Sequence, residues 1–410
     1  MRRYEKTHPW ITFQATHVND VLPRHWMLVG EAKSKCQHLA GTPLKPDVAS
    51  DLYTVTLVKG ALATTAIEGN TLTEDQVMGI LKGTYKAPPS RQYQEQEVRN
   101  LLDALDGLQA RIVAGETIRI TKSLICEFDR LVLQGTVDGP DVVPGEVRTH
   151  SVVVGSYRGA PAEDCDYLLD RLADWLEGPT FHSDDQEIQF ALTLAKAVYA
   201  HLYLAWIHPF GDGNGRTARL VEFVILASSG LVPVPAAHLL SNHYNLTRDR
   251  YYRELSRASE ARDALGFLVY AIEGFVDGIR EVIDMVRAQQ VQIAWVNYVH
   301  EVFRDEARSK ANDRQRDLVL ALPMWDAVRR ADLNGLSAKL AGLYATAGPR
   351  TLSRDLNHLQ SLGLIARAGS MVRARADRIL AFLPPMGAPE PTPGGGWAPP
   401  RPGGAGIKPS

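Results

Sequence analysis

Residues 185–206 constrain the fold more than any other stretch of this chain. Ile188, Ala191, Leu192, Leu194, Ala195, Val198, Leu202 and Leu204 fall on nearly every side of a helix of that length. A helix that is apolar all round must be surrounded by other elements, so the segment reads as the central helix of a helical core. The most apolar window, 190–210, is broken by Lys196, His201 and His208, which argues against a membrane span.

The elements that would surround it are also legible as helices. Apolar periodicity predicts helices at about 45–67, 91–113, 121–134, 161–177, 214–229, 247–259 and 263–308. The first is stopped by Gly69 and Asn70. Thr73 and Gln76 then occupy the two positions of a capping box. The texture changes at Val147–Val154, a short β-branched run between Pro144-Gly145 and Gly155, which predicts a strand or hairpin. The expected class is therefore mostly α, with a short β-hairpin set into the helical core.

Composition limits function. The 410 residues carry 45 Lys+Arg and 47 Asp+Glu, a net charge of −2, which excludes a wholly basic nucleic-acid coat and an acidic disordered chain. Cys36, Cys126 and Cys165 are three in number and widely spaced, so neither a disulfide framework nor a zinc ribbon is indicated. The first ten residues, MRRYEKTHPW, hold no apolar signal core. A cytoplasmic protein with no membrane attachment is expected.

Charge is unevenly spread. Residues 311–386 hold 11 Lys+Arg and six Asp, a net charge of +5. Their pattern is a helix at about 315–330, a helix at Leu336–Tyr344, a Gly348-Pro349 turn, a helix at Arg350–Leu362 and strand-like 363–367 and Met371–Arg375. That order resembles a winged helix-turn-helix unit. Arg350, Arg354 and His358 would form one stripe, flanked by Arg367, Arg373 and Arg375, a footprint suited to DNA. Winged helices also serve as docking and dimer modules. Residues 387–410 contain seven Gly and seven Pro, too little apolar surface to fold, and read as a disordered tail.

The chemistry concentrates in residues 208–219, HPFGDGNGRTAR. A buried helix ends near Trp206 and another begins near Asn214, with a glycine-rich turn between them. Amides at the start of a helix, together with its positive dipole end, attract anions, and Gly213 and Gly215 let backbone approach a phosphate closely. Arg216 and Arg219, three apart, can grip further phosphate oxygens. Asp212 is a hard oxygen ligand suited to Mg²⁺ on phosphates. His208, at the loop's entrance, can take a proton from an attacking hydroxyl. These are the parts of phosphoryl or nucleotidyl transfer.

The segment fills every specified position of the Fic family signature, HxFx[DE]GNGRxxR, and the chain resembles that family over roughly residues 10–285. Arg148–Gly155 is similar to the family's flap, Thr247–Tyr252 to its adenine-side helix, and Thr64–Asn70 to its inhibitory motif [ST]xxxE[GN]. The resemblance implies a protein adenylyltransferase with ATP as substrate, Mg²⁺ as cofactor and a protein, the chain itself among the candidates, as target. It implies His208 as general base, Asp212 as metal ligand, and Gly213, Asn214, Gly215 and Arg216 as the phosphate cradle. Arg219 would take the γ-phosphate, and Tyr251 and Tyr252 would border the adenine. As adjacent helical residues those two cannot both face a base, so one is expected in the core. Val152 or Val154 would clamp the target side chain. The family often carries Asn where this chain has Ser259. Thr64 and Glu68 would belong to an inhibitory helix at about 45–68, Glu68 pairing with Arg219. An acid at a helix C-terminus is disfavoured by the dipole, which by itself implies a specific partner.

The expected organisation is a helical region (1–110), a Fic core (111–285), a connecting helix (286–310), the winged unit (311–386) and the tail (387–410). Gly215 argues against a phosphate-transferring variant, which carries Lys there. Removal of AMP from a modified target and a DNA-binding regulator with a nucleotide-sensing core are the other readings. A homodimer is compatible with all of them.

Overall fold

The structure is a computed structural model. It describes residues 2–15, 22–137, 141–155, 157–304, 306 and 309–380, so the tail at 387–410 lies outside the described residues. Residues 1–282 and 283–410 form two compact units.

In the first unit the helix Gln186–Ile207 lies at the centre, with Leu194, Val198, Leu202 and Ile207 fully buried. By length and composition alone this helix could cross a membrane, but most of it is buried by neighbouring elements. Its burial, rather than any excess of polarity, marks it as a core helix. Helix Asn214–Ala227 packs along it, and Lys122–Val132 packs on the latter. Helix Pro46–Ile67 sits against Gln92–Val113 and Leu239–Leu246. It is closely seated there: a Cβ on Gly60 would lie 2.2 Å from the buried His238 ring, so only glycine fits. The capping box at Thr73 and Gln76 is formed from both sides, at 3.4 and 3.0 Å.

The 1–110 region is thus not a separate domain. Its helix Pro46–Ile67 shares a core with the 111–285 segment, because an apolar helix face needs a partner and finds it there. The predicted strand at Val147–Val154 is also shorter than expected. Only Val153–Val154 pairs, antiparallel, with Tyr157–Arg158. Upstream, the carbonyl of His150 is taken by the Arg148 side chain and the amide of Arg148 by Pro209, which keeps that stretch out of a ladder.

The second unit starts within helix Leu265–Val302. The predicted helix end at 308 is too late. The predicted connecting helix is not independent either, because Trp295, Val299 and Phe303 are buried in one cluster with Leu318, Leu340, Leu356 and Ile365. Helix Lys310–Ala321 stops short of the predicted 330. Leu322 precedes Pro323 and has ψ 136°, the extended conformation that a following proline imposes. Strand Val328–Arg329 follows, where helix was expected. It pairs with Met371–Ala374, which pairs in turn with Ile365–Ala368, all antiparallel. Helices Ala338–Ala345 and Thr351–Ser361 lie between them in sequence.

Candidate active site

The core helix ends at Ile207, and His208 adopts a left-handed backbone, φ 51° and ψ 59°. That conformation is costly for a side chain with a Cβ, and such strain persists only where the surroundings enforce it. Here the amide of His208 still donates to Leu204 O at 2.9 Å, while its carbonyl accepts from Arg148 Nε at 2.7 Å. Nδ1 of the ring lies 3.4 Å from Ala205 O. With the hydrogen on Nδ1, Nε2 keeps its lone pair. Burial, aided by the Arg148 charge, pushes the imidazole down to about 4, so it is neutral at physiological pH.

The loop from His208 to the next helix is closed by its own side chains. Asn214 accepts from Phe210 N and donates to Phe210 O, both at 2.9 Å. The side-chain amide of Asn214 is therefore a loop staple and, contrary to expectation, is not free for phosphate; its backbone N–H is one of the first amides of the helix. Gly213 caps that helix with φ 76°, a conformation glycine adopts without cost. The first amides of any helix lack internal acceptors, so residues 214–216 present donors. Behind the loop stands Asp129, which is fully buried. It accepts from Gly145 N at 2.8 Å and Thr217 Oγ1 at 3.4 Å, and burial pushes its carboxyl up to about 7.

Both arginines are buried. Arg219 Nη2 donates to Glu68 Oε1 at 2.5 Å and to Thr64 O at 2.9 Å. Thr64 therefore contributes its carbonyl to this contact. Burial would raise the Glu68 carboxyl, but the charge and hydrogen bond of Arg219, with the Arg216 charge nearby, outweigh it and hold the group below its usual range. Nε and Nη1 of Arg219, and Nε of Arg216, have no acceptor among the described residues. Arg216 pairs with Glu97 at 3.0 Å and Asp212 at 3.1 Å. Asn70 donates to the other Glu97 oxygen at 3.0 Å, which links this pair to the end of the Glu68 motif. A Cβ on Gly215 would lie 2.2 Å from Glu68 Oε1, so the glycine of the anion loop also makes room for that carboxylate.

Glu68, residues 150–154, His208 and residues 211–216 together line a cavity of about 360 Å³. Val152 is half-buried, and Val153 and Val154 are exposed. A larger cleft of about 590 Å³ near Glu177 and Lys196 shares no lining residue with that cavity. Tyr251 and Tyr252 divide as expected. Tyr251 is the core residue, its hydroxyl 2.9 Å from His201 Nε2. Tyr252 is 41% exposed and donates to Ile67 O. Ser259 bonds Ser256 O in its own helix.

Asp212 is more than half exposed; it accepts from Gly213 N at 2.6 Å and pairs with Arg216. No group of three metal-ligating side chains exists among the described residues. Mg²⁺ is commonly held by one or two carboxylates plus substrate phosphates, so this donor set fits a metal that arrives with a nucleotide. Sequence reasoning assigned no role to Arg148, Glu97 or Asp129. A lone charge in the β-branched run 147–154 was the one available hint of the first; the other two sit on ordinary helix faces.

One cavity thus brings together a glycine-rich helix start, a neutral histidine and a two-stranded flap. Residues 119–226 match the model of the Fic/DOC family. Similar curated proteins include protein adenylyltransferase fic-1 of Caenorhabditis briggsae, 36% identical over 174 residues, 42% of this chain and 32% of that one. Protein adenylyltransferase Fic of Nematostella vectensis is 30% identical over 214 residues, 52% of this chain and 46% of that one. The chain thus spans between a third and a half of these relatives' lengths. Among solved structures, a Fic family protein from Desulfovibrio desulfuricans G20 shares the fold, with TM-score 0.53, 22% identity and coverage of 86% and 96%. Fic-1 from C. elegans aligns with TM-score 0.52 and 25% identity over 65% of this chain and 73% of that one.

Proposed function

We propose that this chain is a protein adenylyltransferase, moving AMP from ATP to a hydroxyl side chain of a protein. The observation that carries the reading is one cavity that joins the neutral His208, the glycine-rich helix start and the flap. The names of the relatives support it. The target hydroxyl, held along Val153–Val154 by strand addition, gives its proton to His208 Nε2. Its oxygen attacks the α-phosphorus, the bond to the bridging oxygen breaks, and pyrophosphate leaves. The amides of 214–216 and the spare donors of Arg216 and Arg219 stabilise charge on the phosphates. Mg²⁺, held by Asp212 and the phosphates, would neutralise charge on the departing group.

Glu68 is the brake in this reading. Its carboxylate takes Nη2 of Arg219, so a triphosphate bound beside it is held away from the in-line geometry that transfer needs. Residues 310–380 serve in the proposal as a winged helix-turn-helix docking or dimer module. The DNA reading is not favoured, because the relatives are named adenylyltransferases and four of the six footprint residues have partners within the unit: Arg367 with Asn357, Arg375 and Arg373 with Asp377, and His358 with Gln315; Arg350 and Arg354 are exposed. A cytoplasmic setting remains part of the proposal and rests on the sparse, unpaired cysteine usage. The test is incubation with Mg²⁺ and ATP labelled at the α- or the γ-phosphate, alone and with cell lysate. Protein labelled only from the α-position supports AMP transfer. Label only from the γ-position, or from neither even after Glu68→Gly, refutes it.

A further inference from the structure

We infer that Arg148 is a positioning residue that locks the flap and His208 into one register, an inference that rests on the adenylyl-transfer reading. The side chain is 4% exposed, yet among the described residues its hydrogen-bond partners are all backbone carbonyls: His208 at 2.7 Å, His150 at 2.5 Å, Ala160 at 2.6 Å and Ile207 at 3.4 Å. A buried cation usually needs a carboxylate. Here the negative end of the core helix replaces it, because Ile207 and His208 supply the terminal carbonyls. The remaining two carbonyls belong to the opposite arms of the flap, one before Val153–Val154 and one after Tyr157–Arg158.

The backbone repeats the tie. Arg148 N donates to Pro209 O at 3.0 Å, Ala160 N to Ile207 O at 3.2 Å, and Gly159 N to Val152 O at 3.2 Å. Gly159 leaves the space this requires: a Cβ there would stand 2.9 Å from His208 Cβ and 3.0 Å from Arg148 Nη2. The base needs its Nε2 at a fixed distance from a hydroxyl whose chain lies on the flap. One planar guanidinium, with five donors in a rigid fork, sets that distance by bonding both elements at once. Lysine, with one nitrogen on a flexible stem, cannot span the same set.

Arg148→Lys and Arg148→Met, each in the full chain carrying Glu68→Gly, test this. ATP binding in Mg²⁺ should be nearly unchanged, since Arg148 hydrogen-bonds to His208, His150, Ala160, Ile207 and Pro209 and not to residues 211–219. Amide exchange at Gly159 and Ala160 should speed up by about tenfold or more, as local opening becomes easier, while residues 190–204 keep their protection. Self-labelling from α-labelled ATP should fall by about 100-fold in both variants, the scale of a 1 Å misplacement. Unchanged exchange at Gly159 and Ala160, or full activity with lysine, overturns the inference. Loss of protection at 190–204 together with loss of ATP binding overturns it too, since Arg148 would then merely hold the bundle. If the Glu68→Gly parent itself takes no label, the transfer reading fails, and the exchange comparison still decides whether Arg148 ties flap to loop.

Discussion

Replacing Glu68 with glycine should make the protein faster and less stable at once. The carboxylate lies 2.5 Å from Arg219 Nη2. Unit charges about 4 Å apart attract by about 4 kcal/mol at an effective dielectric constant of about 20. A third of the Glu68 side chain is open, at 34%, and solvent screening reduces that to about 2 kcal/mol. A triphosphate must overcome this to claim Arg219. At about 1.4 kcal/mol per tenfold, removal of the competitor should raise the rate of AMP transfer about 30-fold. Arg219, 1% exposed, then holds a buried charge with no carboxylate, a loss of about 3 kcal/mol, or roughly 5–10 °C in Tm. Mg-ATP should restore much of that. Glu68→Gln should fall between parent and glycine, and Glu68→Gly with Arg219→Ala should lose the gain. The assay is the initial rate of self-labelling from α-labelled ATP, with Tm measured with and without nucleotide. An unchanged or lower rate in the single variant, with ATP still bound, would refute the reasoning. So would a gain that survives in the double variant.

Other expectations follow from the same geometry. His208→Ala should lower AMP transfer by about 10²–10⁴-fold, the usual contribution of a positioned base, with ATP binding nearly intact; a variant that labels at the parental rate contradicts the assignment. Asp212→Ala should weaken ATP binding in Mg²⁺ more than in a chelator, as titration calorimetry would read; equal losses argue against a metal role. The Asp129 carboxyl is raised from 3.8 to about 7 in the fold. The native state therefore keeps a proton that the unfolded chain has already released, and stability falls as pH rises from about 4 to about 7, by at most about 4 kcal/mol. Asp129→Asn removes that dependence while leaving an acceptor for Gly145 N. Its Tm relative to the parent should climb between pH 5 and pH 8, and a pH-independent difference would show that Asp129 does not titrate there.

Much of the site was legible because its information is local. Asp212, Gly213, Gly215 and Arg216 are assembled by one turn and one helix start, which the run at 208–219 encodes directly. The capping box at Thr73 and the division of labour between Tyr251 and Tyr252 follow from helical spacing in the same way. The failures share a cause. The strand expected across Val147–Val154 shrinks to two residues, because a side chain within the run competes for its carbonyls. Asn214 reads as a phosphate contact until Phe210 is seen to occupy both ends of its amide.

The amino-acid sequence by itself determined the buried helix, the anion loop that ends it, the misplaced acid at Glu68 and therefore the need for a cationic partner. Tertiary structure alone decided what those groups meet. Glu97 reaches Arg216 across 119 positions, and Arg148 reaches His208 across 60. No periodicity encodes such pairs. They form because the packed core leaves each buried charge a single direction in which its donors can be satisfied, and that direction exists only once the helices have been laid against one another.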